Sequence, residues 1–299
     1  MAKARALDRR RKSVRNIRKI TRTMELVATA RFKRAADRAT AATGYTRRVN
    51  MLVKHLSRSG LQAEHPLLAE RPEPRRAILL VLSANRGLCG GYNASVLRLA
   101  MANWKRLQAN IRECRLEVSG KRGISAFRFR KIQPNEAFTQ FDDRPAYDDI
   151  DVLAERYMQA FETGRIDRLD VVYTRFESLG RQYPVVETLL PMTQVMSEEE
   201  EEEEEVGLFG VRPVQYEMLP SAESILDEVV PISFKAKLFK CFLDAGVSEQ
   251  IARMTAMKAA TDNANAMINR LAMAYNRARQ GQITSELLEV ISGAEALRG

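Results

Sequence analysis

The densest group of residues able to do chemistry is Gly87-Leu-Cys-Gly-Gly-Tyr-Asn93, between an apolar run, Ala77–Leu82, and a segment of helical spacing that continues to about Gln108. Glycines at such a place let an anion approach the backbone N–H groups that open a helix. The spacing is neither G-x-G-x-x-G nor a P-loop, and no G-K-[ST] follows, so a tight turn packing a strand on a helix accounts for it equally well. Cys89 within it is a candidate nucleophile, but the only histidines are His55 and His65, and nothing in the sequence brings either one to it. The pairs Asp142-Asp143 and Asp148-Asp149 lie in a polar stretch and read as solvated turns. Cys89, Cys114 and Cys241 are odd in number and widely spaced, which suits neither a disulfide framework nor a metal cluster. The expectation is a chain without catalytic residues, bound metal or cofactor.

The elements around these residues fall into three parts. From Met1 to about Leu56 there is no proline, and Ala, Arg, Lys, Met and Leu dominate, all good helix formers. Read in sevens, Leu7, Val14, Thr21, Ala28, Ala35, Ala42, Val49 and Leu56 make one seam. Arg10, Ile17, Met24, Arg31, Arg38, Tyr45 and Leu52 make its companion, a coiled-coil period with small residues in the middle. Some 50 residues of helix extend roughly 75 Å, more than a domain of this size buries. The segment Leu61–Arg76 holds Pro66, Pro72 and Pro74 and reads as a linker.

Four β-rich runs follow, at Ala77–Leu82, Arg115–Ser119, Leu169–Phe176 and Val185–Met192, with helical spacing at Asp149–Phe161. Alternating strands and helices predict an α/β layer with a mainly parallel sheet. After Pro231 a stripe recurs in steps of three and four from Ile251 through Met257, Thr261, Ala264, Ile268, Leu271 and Tyr275. It skips at Gly281 and resumes at Ile283, Leu287 and Val290. The fold expected is therefore a long antiparallel coiled coil of the N- and C-terminal helices plus a middle α/β domain. The divisions are 1–60 for the first helix, 75–195 for the α/β domain, 196–215 for an acidic loop and 216–299 for the second helix region.

With 299 residues, 45% of them apolar and 29% charged, the chain is long enough for one large or two ordinary domains and too apolar to be mainly disordered. No run of 18 apolar residues occurs, so no segment reads as a membrane-spanning helix. The N-terminus lacks the apolar stretch of a signal peptide, and a reduced, cytosol-facing compartment is expected. The net charge of +10 is uneven: residues 1–48 hold 16 Lys and Arg against Asp8, Glu25 and Asp37, leaving the rest slightly negative. A glutamate run, Glu198–Glu205, reads as a self-repelling loop. The basic helix suits either nucleic acid or a protein partner surrounding it. Its cations Arg9-Arg10-Arg11-Lys12, Arg18-Lys19 and Lys33-Arg34 spread around the helix with no aromatic platform among them, which favours the protein partner. An α/β enzyme with helical extensions is a further alternative.

Ser13-Val-Arg-Asn-Ile-Arg-Lys-Ile-Thr-Arg-Thr-Met-Glu-Leu-Val-Ala-Thr-Ala-Arg31 resembles the opening helix of the gamma subunits of F-type ATP synthases. So do Asn85–Asn93 in their middle domain, and Arg253–Asn263, Tyr275–Leu287 and Ser292-Gly-Ala294 in their last helix. The resemblance covers both ends and the middle, in order. It implies a single-copy central shaft, without an active site of its own, inside a ring of three alpha and three beta subunits. It also implies an α/β foot against the epsilon subunit and the ring of c subunits, and no nucleic acid. Rotation would couple transmembrane ion flow to ATP synthesis or hydrolysis, at the cytoplasmic face of a bacterial inner membrane as a peripheral protein.

Carried over by motif, the resemblance places Arg279, Gln280 and Thr284 where the shaft meets a beta-subunit loop. It puts Lys19, Arg22, Met24 and Glu25 on the facing N-terminal helix near an acidic lever of beta, and Arg9, Arg10 and Arg11 near the top of the shaft in the bearing. None of the three cysteines is spaced to supply the regulatory pair of the family's chloroplast branch. Arg10, Arg31 and Arg38 in a seam imply a coil that is weak without its surrounding ring.

Overall fold

The computed structural model describes residues 2–58, 65–69, 71, 73–142, 145–192 and 222–296. The chain runs α1 (Ala2–Arg58), β1 (Arg76–Leu82), α2 (Tyr92–Asn110), β2 (Glu113–Ser119), α3 (Lys121–Phe129), β3 (Glu136–Phe138), α4 (Tyr147–Glu162), β4 (Arg168–Ser178), β5 (Arg181–Leu190) and α5 (Ala222–Ala296). The run Glu198–Glu205 lies outside the described residues. Two compact units form, one from residues 1–30 with 253–299, the other from residues 31–252.

In the second unit the sheet has the order β3-β2-β1-β4-β5. β1 pairs in parallel with β2 and β4, β2 in parallel with β3, and β4 with β5 as an antiparallel hairpin. β1 reads as a continuous apolar run because both of its faces are covered. Ile78, Leu80 and Leu82 join a core with α4, part of α5 and Val53 of α1. Ala77, Leu79 and Val81 join a second core under α2 and α3. Gly120, at φ +99°, turns β2 into α3 where a Cβ would lie 2.0 Å from the Ser83 carbonyl oxygen, so the turn admits only glycine.

The mainly parallel sheet stands as expected, and the structure adds to or alters the sequence reading at five points. The last strand is antiparallel, since the two-residue link from Ser178 to Arg181 closes a hairpin that no parallel crossover could span. α3 and β3 carry no periodicity long enough to read from the sequence. Asp148 and Asp149 are not in a loop but in the first turn of α4, where carboxylates complement the exposed N–H groups. α5 begins before Pro231 and runs through it. That proline deletes one helical hydrogen bond, and the buried Leu226, Val230, Phe234 and Leu238 on either side hold the helix to the core. The linker is in part packed: Leu67 is fully buried, and Arg71 donates to Asp167 at 2.6 Å and to the Phe161 carbonyl at 2.6 Å.

In the first unit α1 and α5 pair antiparallel. Val14 packs with Ala264, Ile268 and Leu271, with Leu7 alongside. The hydroxyls of Thr21 and Thr261 lie 2.9 Å apart in the buried seam, each within reach of a carbonyl of its own helix, and Arg18 donates to Asn265. The seam through Val14, Thr21 and Ala28 is buried, but its companion is not: Ile17 is 49% exposed and Arg10 faces solvent. In the second unit Arg38 and Tyr45 are exposed too. One neighbouring helix covers a narrow stripe, so Arg10 and Arg38 lie beside the seam rather than in it, while Arg31 is half-buried.

Candidate partner-binding surface

In a doubly wound sheet a ligand settles at the strand ends where the order reverses, here between β1 and β4. The Gly87–Asn93 turn stands at that place, and the chain itself fills it. Ala84, Cys89 and Tyr92 form one cluster with Ala252 of α5. The Tyr92 hydroxyl donates to the Ala245 carbonyl at 3.1 Å, and Ser248 Oγ to the Thr174 carbonyl at 3.3 Å. Asn93 accepts from the Ala84 N–H at 3.0 Å and donates to Cys89 Sγ. Leu88 and Gly90 take positive φ to make the turn. Of the two readings of these glycines, packing a strand on helices is the one the geometry supports, and Cys89 is buried within it. No group of three or more His, Cys, Asp or Glu among the described residues is arranged to hold a metal.

The exposed surface of the first unit is of another kind. Arg5, Asp8, Arg9, Lys12, Tyr275, Arg279, Gln282 and Ile283 line a groove of about 510 Å³. Its four cations face one carboxylate. Asp8 pairs with Arg11 at 2.7 Å and Lys12 at 3.1 Å, and the Lys12 hydrogen bond holds its carboxyl below the usual range. Arg11 is half-buried, its guanidinium 5.1 Å from the centre of the Tyr275 ring, a cation–π distance. The antiparallel register thus brings Arg9 to Arg279. Gln280 is exposed, and its carbonyl accepts the Thr284 hydroxyl at 3.0 Å.

The same register separates the other site residues from these. Thr21 lies opposite Thr261 and Arg18 opposite Asn265, so Lys19, Arg22, Met24 and Glu25 sit several helical turns away from Arg279, Gln280 and Thr284. Arg22 and Glu25 pair with each other at 2.7 Å, Lys19 is exposed and Met24 half-buried. Sequence reasoning missed Arg5, Lys12 and Gln282 in the groove. It also missed that Leu287, Leu288, Val290 and Ile291 in the last turns of α5 are 57%, 58%, 70% and 54% exposed. The skip in the apolar stripe at Gly281 was the one signal for that exposure.

The first unit thus presents a cationic groove and an exposed apolar stretch near the end of α5. The family model described as ATP synthase matches residues 3–297. The ATP synthase gamma chain of Rhodopirellula baltica is 56% identical over 299 residues, all of both chains. The chain belongs to the ATP synthase gamma-chain family. That of Leptospira biflexa is 36% identical over 297 residues, 99% of this chain and all of that one. Among solved structures, a chain of the Euglena gracilis mitochondrial ATP synthase aligns with 99% of this chain and 95% of its own at a TM-score of 0.64 and 16% identity. One from the Tetrahymena thermophila central stalk and c-ring aligns with 81% and 99% at 0.53 and 19%. These two establish a shared fold. None of the matches supports the nucleic-acid reading, and none of the described helices is long and apolar enough to cross a membrane.

Proposed function

We propose that the chain is the central-stalk rotor of an F-type ATP synthase, present in one copy and without catalysis of its own. It turns inside a ring of three alpha and three beta subunits. The α/β unit stands as a foot against the epsilon subunit and the c-subunit ring, peripheral to the cytoplasmic face of a bacterial inner membrane. The observation that carries this is the C-terminal stretch of α5, a single helix with Leu287, Leu288, Val290 and Ile291 exposed. Water does not favour four such side chains along one helix; an apolar sleeve around the helix would cover them. Below it, the groove of Arg5, Arg9, Lys12 and Arg279 suits acidic loops of the ring. Gln280 and Thr284 extend that contact, Arg10 and Arg11 add charge beside it, and Lys19, Arg22, Met24 and Glu25 make a second, separate contact.

Unequal contacts are what let one rotor bias three sites differently. A helix pair with an apolar end, a cationic groove on one side and an ion pair elsewhere presents a different face in each direction. The experiment is co-expression with the alpha and beta subunits of the same source, native mass measurement and ATPase assay. One copy with three of each, hydrolysing ATP as an assembly, is the expected result. Assembly that survives Leu287→Asp with Val290→Asp at full activity would refute the sleeve.

A further inference from the structure

α2 and α3 pack their apolar sides on the same face of the sheet, and their outer sides carry one sign of charge. Arg98, Lys105 and Arg106 on α2 and Lys121, Arg122 and Arg128 on α3 are all exposed, as are Arg130 and Lys131 in the turn that follows. No Asp or Glu occurs from Arg75 to Arg112, or from Lys121 to Asn135. Of the two acids between, Glu113 is engaged by Arg115 at 3.0 Å, and Glu117 is buried, accepting from Tyr157 at 2.6 Å. Among the described residues none of those eight cations forms an ion pair. α4, on the other side of the sheet, carries Asp148, Asp149, Asp151, Glu155 and Glu162 against Arg156 alone.

α2 leads to the start of β2, opposite Arg76, and the shorter α3 leads to β3, whose first residue, Glu136, pairs with Glu117 in the second half of β2. Arg128, Arg130 and Lys131 follow one another at the C-terminal end of α3. Among these cations stands Phe129, 88% exposed and part of neither core. Among the described residues no core includes that ring. We propose that the C-terminal end of α3, on the cationic face of the sheet, is a docking surface for an anionic phospholipid membrane. Phe129 enters the headgroup region, and Arg128, Arg130 and Lys131 reach the phosphates around it. Cations alone would match an acidic protein; a lone projecting ring among unpaired cations fits an apolar layer beneath anionic headgroups.

The test uses the full chain with Phe129→Trp, compared with the unsubstituted chain, whose single tryptophan, Trp104, is buried. Vesicles of equal phosphatidylglycerol and phosphatidylcholine should shift the added indole emission to the blue, and phosphatidylcholine vesicles should not. Replacing Arg128, Arg130 and Lys131 by Gln should lower vesicle affinity by about a hundredfold, at roughly fivefold per cation near such a surface. A matched triple, Arg9→Gln, Arg10→Gln and Lys12→Gln, removes equal charge from the basic N-terminal helix and should leave the blue shift in place. Emission of the added indole that does not change on anionic vesicles would overturn the proposal. So would a shift that the second triple abolishes and the first does not, or equal binding to poly-glutamate with no effect of Phe129→Ala. None of these readouts depends on assembly with a ring, so the proposal fails or stands apart from the rotor reading.

Discussion

The two units are built on opposite terms. Residues 31–252 bury a sheet on both faces, with Tyr157, Phe161, Phe234, Leu79 and Leu116 almost completely removed from water. Residues 1–30 with 253–299 share a seam of Val14, Ala264, Ile268 and Leu271 and a threonine pair, while Ile17, Ile20, Leu26, Met273 and Val290 are about half or more exposed. The first supplies its own core. The second leaves much of its apolar surface for others, and its small seam residues let the helices approach closely at little gain in burial. Burial and exposed apolar surface are thus separated along the sequence, the first concentrated in the sheet unit and the second in the helix pair.

The largest test of that separation lies in the sheet unit. Phe161→Ala should lower the unfolding free energy of the free chain by about 3–5 kcal/mol, seen as an earlier denaturant midpoint. Next is Glu187, buried beside Lys237 at 3.1 Å and Arg175 at 2.8 Å. Burial alone would raise its pKa, but Lys237, Arg175 and the Tyr173 hydrogen bond bring it down to about 2. A carboxylate held below its unfolded value of about 4.3 stabilises the fold above that pH, and the contribution is lost as pH falls toward 2. Unfolding curves at pH 7, 4 and 2.5 should show Glu187→Gln costing about 3 kcal/mol at pH 7 and progressively less toward pH 2.5.

In the helix pair the effects shrink. Thr21→Val alone leaves the buried Thr261 hydroxyl without its partner across the seam and should cost about 1 kcal/mol. Thr21→Val with Thr261→Val should restore most of it, read as amide exchange in residues 255–268. The smallest effect on stability is at the surface: Arg279→Ala with Gln280→Ala should leave unfolding unchanged within about 0.5 kcal/mol. In the assembled complex the same pair should lower ATPase activity, and loss of stability without loss of activity would erase the contrast between the units.

Period and composition were enough to read the two long helices, four of the five strands and the division into ends and middle, because each depends on local pattern over many residues. The motifs carried the family. α3 and β3 are too short for a period, and the direction of β5 depends on a hairpin that alternation cannot distinguish from a crossover. The site was legible as residue types and illegible as geometry. Arg9 and Arg279 were each candidates, but only the antiparallel register puts them in one groove and sends Lys19 and Glu25 elsewhere. Likewise Gly87–Asn93 reads equally as a ligand turn or a packing turn until Ala245, Ser248 and Ala252, more than 150 residues later, are seen to fill the crevice. What the sequence by itself determined is which stretches are helix, which are strand and where charge is carried, since those follow from spacing along one chain. Which seam is buried, which residues meet and which apolar end is left bare are set by contacts between distant segments, and tertiary structure alone decided them.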